Sequence, residues 1–291
     1  MNETLITTPS KLQVSKAEIL SPRASNSEKI FAILMKNLKI RLRNYQTYIY
    51  SFGFPLVFTL LFYFMFGTEE IGGGWVIFDF AIAGMLIYTA SFGTINAAMA
   101  FTEEKQKGTL TRLDTMPIGR AKIFIATLMS EGIFLVLQLA VMMAIGYGIM
   151  GLHWHNDDLG LLLIGFLIML VFGLSTVGLG IIISAYAKTA ESALGIAMMY
   201  VLPVIFLSGA MTPFASNVQY FMPPYWAYAV YRQVVILGDD FWTGFVQKSS
   251  TNPLNAEYLT IPLWGGAFII LAILFSTIII GIYLFQRKTL Q

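Results

Sequence analysis

The 291 residues are 57% hydrophobic and only 12% charged, with a mean hydropathy of +0.71, whereas a soluble globular chain keeps about 25% of its residues charged. That deficit excludes a fold wetted on all sides, so lipid is the solvent for most of the chain and an all-α integral membrane protein is expected. The absence of Cys excludes disulfides, thiolate metal sites and cysteine nucleophiles, and the net charge of +2 informs only through where the charges sit.

Residues 1–24 read as a flexible cytoplasmic tail, because Pro9, Pro22 and several Ser and Lys interrupt any apolar core of signal-peptide length. Residues 25–47 read as an interfacial amphipathic helix. Ser25 with Glu28 makes a capping-box pattern, and Phe31, Leu34, Met35, Leu38 and Leu42 recur at helical spacing. Lys29, Lys36, Lys39 and Arg43 fall largely on other faces, as in a basic helix lying along the inner leaflet; a solvated extension of the first span is the alternative.

Residues 48–291 form one membrane domain with six apolar stretches near the length of about 20 residues that a crossing helix needs: 48–66, 78–100, 123–150, 159–186, 193–210 and 261–285. Pro55 in the first and Pro203 in the fifth predict kinks or local unwinding. Of the eighteen Lys and Arg, sixteen lie before the first span, in 101–122, in 187–192 or after 285. Only Arg232 and Lys248 lie on the other side, so the positive-inside rule places both termini in the cytoplasm of a multi-pass protein of the cell membrane. Small residues recur every fourth position at Thr89, Gly93 and Ala97, at Ala140, Ala144 and Gly148, and at Thr176 and Gly180. Close packing between spans is the plain reading of them, with a translocation wall or a subunit interface as alternatives.

Between the second and third spans, residues 101–122 (FTEEKQKGTLTRLDTMPIGRAK) are short and highly charged. Gly108 separates Glu103, Glu104, Lys105 and Lys107 from a helical run through Thr109–Asp114 that Pro117 and Gly119 end. A tether needs few residues, so a stretch this polar suggests a docking element. Beyond the fifth span, 208–260 carries MTPFASNVQYFMPPYWAYAVYRQ, whose aromatics and Met suit an interface belt or short re-entrant helices on the outer face. Tyr225, Trp226, Tyr228 and Tyr231 are belt residues or an outer gate, and Arg232 is expected to pair with Asp239, Asp240 or Glu257.

The acidic and basic cluster followed by Gly108-Thr109-Leu110 and a Thr-x-Pro resembles the loop between the second and third spans of type-2 permeases of the ATP-binding-cassette (ABC) superfamily. The leading amphipathic helix, the six spans and the long outer region extend the resemblance over most of the chain after about residue 25. The resemblance implies that Glu103, Glu104, Lys107, Gly108, Thr109, Leu110, Arg112 and Leu113 form a coupling helix seated in an ATPase subunit. Gln106 and Lys107 precede Gly108 where many relatives place an Arg-rich stretch, which bears on the choice of partner. It also implies an exporter built from two ATPase copies and a homodimer or heterodimer of permeases, with the first and fifth spans meeting across the dimer. The second and fifth would line the cavity, with Tyr88, Ser91, Asn96, Met99, Met198, Met199 and Phe206 as wall residues. A Met- and Phe-rich wall suits an amphipathic or hydrophobic cargo such as a drug, lipid or peptide.

No G-x-x-x-x-G-K-[ST] loop, G-x-S-x-G or H-E-x-x-H occurs. No catalytic residue or resident cofactor is therefore expected, ATP and Mg are assigned to the partner ATPase, and nucleic acid is not an expected partner. His153 and His155 with Asp157 and Asp158 form either an exposed turn or a weak cation site. Glu131 is the carboxylate well inside a span, by default a functional mark: it faces the cavity, pairs with a basic residue of the leading helix, or stays protonated. An ion-coupled secondary transporter and a membrane-embedded enzyme are the rival readings, the first needing paired intramembrane polar groups and repeats, the second a converging cluster of reactive side chains.

Overall fold

The computed structural model describes residues 26–43, 49–67, 69–72, 75–108, 120–211, 217–247 and 258–288. The expected tail at 1–24, Ser25 of the expected capping box and Glu257 lie outside them. The described chain is mostly helical. In order it runs α1 (Asn26–Arg43), a π-helical turn Ile49–Gly53 leading into α2 (Phe54–Phe66), β1 (Glu70–Gly72), β2 (Trp75–Val76), α3 (Ile77–Gln106) and α4 (Arg120–Met143), which continues as a π-helix over Ala144–Ile149. There follow α5 (Leu159–Tyr186), α6 (Ala190–Leu207), α7 (Pro223–Tyr231) with a π-helical extension Arg232–Leu237, β3 (Phe245–Gln247), β4 (Tyr258–Pro262) and α8 (Leu263–Lys288). The helical content is consistent with the expected all-α class, and two short antiparallel ribbons, β1 with β2 and β3 with β4, accompany the helices.

Among the described residues five helices are long and apolar enough to cross a membrane: Ile77–Gln106, Ile125–Ile149, Leu159–Tyr186, Ala190–Leu207 and Leu263–Leu284. Ser51–Phe66 is a shorter apolar helix; at 1.5 Å per residue it rises about 24 Å, against a hydrocarbon core of about 30 Å.

The bundle is organised around α3. Apart from Ala81, its residues from Phe78 to Ala98 are buried, because α5 lies along one side and α6 along another. The α3–α5 seam is held at backbone distance. A Cβ on Gly93 would come within 3.1 Å of Val177 and 3.2 Å of Thr176, and one on Gly180 would press on the Thr94 carbonyl. Thr94 Oγ1 donates to the Thr176 carbonyl at 2.9 Å, and Thr176 Oγ1 donates to the Ala90 carbonyl at 2.8 Å. Small residues thus let two helices approach until side-chain hydroxyls reach the neighbouring main chain. The remaining stripe behaves differently. Ala140, Ala144 and Gly148 face outward, because α4 turns Leu135, Leu139 and Met142 into the core instead.

At the far end from α1, the Asn217–Phe221 turn and α7 fold back into the bundle, burying Tyr225, Trp226 and Tyr231. Trp226 Nε1 donates to the Tyr220 carbonyl at 3.0 Å, and Gly238, at φ +75°, ends the π-helical extension in a left-handed conformation natural to glycine.

Candidate functional site at the α1 end of the bundle

α1 presents one face to α4. Ile33 and Leu34 are buried, and beside them a row of polar side chains reaches the spans. Lys36 Nζ meets Glu104 Oε1 of α3 at 3.0 Å, and Asn37 Nδ2 donates to Thr127 Oγ1 of α4 at 3.1 Å. Arg41 forms an ion pair with Glu131, while its guanidinium carbon lies 4.7 Å from the Phe134 ring centroid. The exposure of the two members of that pair is only 10% and 5% at the side chains. Each charge is therefore the condition for burying the other, since a lone buried ion loses several kcal/mol of solvation. Of the three roles open to Glu131, the structure places it against a basic residue of the leading helix.

The last turns of α3 carry the charged part of the expected coupling segment. Glu103 pairs with Lys107 at 2.8 Å across one turn in an exposed position, an arrangement worth little by itself. Glu104 is the member that joins another element. The Lys107 N–H closes the helix on the Glu103 carbonyl at 2.9 Å, and Gly108 follows at φ +67° with open space around it, so backbone conformation and not crowding calls for glycine there. Thr109, Leu110, Arg112 and Leu113 lie outside the described residues.

The residues expected to line a pathway divide into three groups. Tyr88, Met99 and Met198 share an apolar cluster between α3 and α6, where Tyr88 packs on Phe58 at 5.2 Å and Phe92 at 4.8 Å between ring centroids. Ser91 borders a cleft with Tyr200 and Val204 of α6, and Asn96 donates to Ser51 Oγ at 2.8 Å. Met199 and Phe206, 82% and 48% exposed, stand on the outward face of α6.

The opposite end joins residues singled out in the sequence to Asp79 and Tyr147, which were not. Asp79, fully buried, accepts from the Val76 N–H at 3.0 Å and the His153 N–H at 2.8 Å, with the His153 ring 3.5 Å away. The His155 ring packs on Gly238, where a Cβ would strike it. Arg232 lies 5.4 Å from the Tyr228 ring centroid, while Asp239 accepts from Gln233 and Asp240 from Thr243. Burial pushes the Asp239 carboxyl above the usual carboxylate range against the opposing pull of Gln233 and His155. Tyr147 and Tyr231 hydroxyls meet at 2.8 Å. Among the described residues no group of three His, Asp or Glu side chains could hold a metal ion. The signal for Asp79 was an acid in the first turn of a helix, which is common enough to pass for ordinary dipole pairing.

The chain matches the family described as ABC-2 type transporter over residues 28–236. The linearmycin resistance permease protein LnrN of Bacillus subtilis (strain 168) is 24% identical over 162 residues, covering 54% of this chain and 41% of that protein. The probable multidrug ABC transporter permease YbhR of Escherichia coli (strain K12) is 27% identical over 135 residues, covering 46% and 36%. The matched stretch spans less than half of the length of either relative.

Proposed function

Since the chain belongs to the ABC-2 type transporter family, we propose that it is the permease subunit of an ATP-driven exporter whose nucleotide chemistry resides in a separate ATPase. Six spans, Ser51–Phe66 being the first, cross the cell membrane with both termini in the cytoplasm. The α1 end is therefore the cytoplasmic one. Two ATPase copies bind ATP and Mg and act on two permeases, identical or closely related.

The observation that carries this reading is the junction at Glu104. The span most enclosed by its neighbours, α3, projects a charged end out of the bundle, and that end is tied sideways to α1 by Lys36. A push on 101–122 thus bears directly on α3 and, through α1, on α4. Closure of the ATPases moves this lever and switches a central cavity between inward and outward access. Exposed Val57, Leu61 and Phe64 of α2 and Met199, Leu202 and Phe206 of α6 support a permease–permease contact between first and fifth spans. The names of LnrN and YbhR, together with the Met- and Phe-rich faces, favour an amphipathic or hydrophobic cargo.

Replacement of Gly108–Leu113 by a Gly/Ser stretch tests the reading in the complex with the co-purifying ATPase, reconstituted in liposomes. ATP hydrolysis continues, insertion is normal and ATP-driven efflux of a lipophilic dye is lost. Undiminished efflux by that variant, or efflux by the permease alone without nucleotide, would sink it.

A further inference from the structure

The first span begins with a defect of its own making. Pro55 has no N–H, so the Ser51 carbonyl four residues earlier lacks the donor that an α-helix would supply. The backbone over Ile49–Gly53 is wound as a π-helix, a local widening that recurs at functional sites. Both Ser51 and Gln138 are buried, at 0% and 1% exposure, where water cannot repair the loss. Gln138 of α4 does: its Nε2 donates to the Ser51 carbonyl at 2.5 Å and to the Thr89 carbonyl of α3 at 3.3 Å. Only the amide nitrogen can face two carbonyl oxygens, so the chemistry dictates its orientation.

Gln138 also ends a row. Thr127, Glu131, Phe134 and Gln138 recur at i, i+4, i+7 and i+11 and so share one face of α4. Thr127 and Glu131 engage Asn37 and Arg41 of α1. Phe134 lies beneath Arg41 and edge-on to Phe52, 5.6 Å between ring centroids, and Gln138 meets Ser51. One helix face therefore runs from the α1 contacts to the break in the first span.

We propose that Gln138 is the positioning residue of a hinge in the first span, its carboxamide standing in for the donor that Pro55 lacks and fixing the angle at which α2 leaves the bundle. The inference rests on the transport reading for its purpose: displacement of α1 along this face of α4 reaches the hinge and re-aims α2.

The test uses the cysteine-free full chain in complex with its ATPase, with one labelled copy diluted into unlabelled copies and spin-labelled at Met65→Cys and Phe268→Cys, positions 65% and 66% exposed. In the absence of nucleotide, the parent gives one narrow distance distribution. Gln138→Leu broadens it about twofold, because the hinge carbonyl no longer selects one angle, and lowers the melting midpoint by about 5 °C. In the Pro55→Ala background, where residue 55 supplies its own N–H, Gln138→Leu leaves the width and the midpoint unchanged. A merely structural glutamine would lower the midpoint in both backgrounds and leave the width alone. Equal effects with Pro55 and Ala at position 55, or an unbroadened distribution, overturn the hinge. If Gln138→Leu fails to fold, the shorter amide of Gln138→Asn goes through the same cycle with the same deciding outcomes. A parent distance that ATP with vanadate does not move overturns the transport reading instead, and the nucleotide-free cycle still decides the hinge.

Discussion

The two ends of the bundle solve the same problem, holding polar groups beside lipid, by different chemistry. At the α1 end the joints are side chain to side chain: Lys36 to Glu104, Arg41 to Glu131, Asn37 to Thr127. At the far end a buried carboxylate, Asp79, is gripped by main-chain N–H groups of Val76 and His153. Long side chains can change partners by rotating a few bonds. A carboxylate held by amides can let go only if the chain itself moves. The α1 joints can be re-set by side-chain rotation, whereas the grip on Asp79 yields only with the backbone.

The largest effect should come from breaking the ion pair. Arg41→Ala leaves Glu131 buried and alone and should cost about 3–5 kcal/mol, while the exchange Arg41→Glu with Glu131→Arg recovers most of it; thermal unfolding in detergent measures both. If the single variant melts like the parent, the α1 end is not held by charge and the contrast collapses. Asp79→Ala strands two main-chain donors and should cost about 2–3 kcal/mol, with faster proteolytic nicking in 151–158 than Arg41→Ala produces. Equal nicking in the two would show that the far end is no more fixed than the other. Gly180→Ala forces a Cβ onto the Thr94 carbonyl and should cost about 1–3 kcal/mol, whereas Ala144→Val on the open face of α4 should stay within about 0.5 kcal/mol. Differential scanning of the pair sharpens where the rigid seam lies. Tyr147→Phe removes one neutral hydrogen bond to Tyr231 and should cost about 1 kcal/mol, a far-end change that leaves ATP-driven efflux intact.

Long apolar runs made the spans legible, and one boundary shows the limit. Hydropathy puts the fifth at 193–210, whereas the helix is Ala190–Leu207, because Thr189 and Ser192 cap each other's backbone; the Thr-x-x-Ser pattern marks that start and hydropathy is blind to it. The fourth, at 159–186, coincides with α5. What hydropathy cannot convey is which side of a span meets protein. Gly93 and Ala140 both belong to small-residue stripes, yet one touches Val177 and the other faces out. At the candidate site, Glu103 to Gly108 stood out as charge outside lipid and Glu131 as charge within it. That Arg41, among the basic residues of the leading helix, would be its partner depends on how α1 is rotated against α4. The bond from Gln138 to Ser51 was likewise hidden, since no local pattern announces which neighbour repairs a proline.

The enclosure of α3 has a mechanical corollary. A rod sheathed by α5 and α6, with hydroxyl-to-carbonyl bonds at Thr94 and Thr176 fastening it to the first of these, cannot tilt without dragging its sheath. Relative displacement is thereby expelled to the periphery, where α2 and α8 present mostly bare apolar flanks. Such flanks can slide against acyl chains or another subunit while the inner axle keeps its shape.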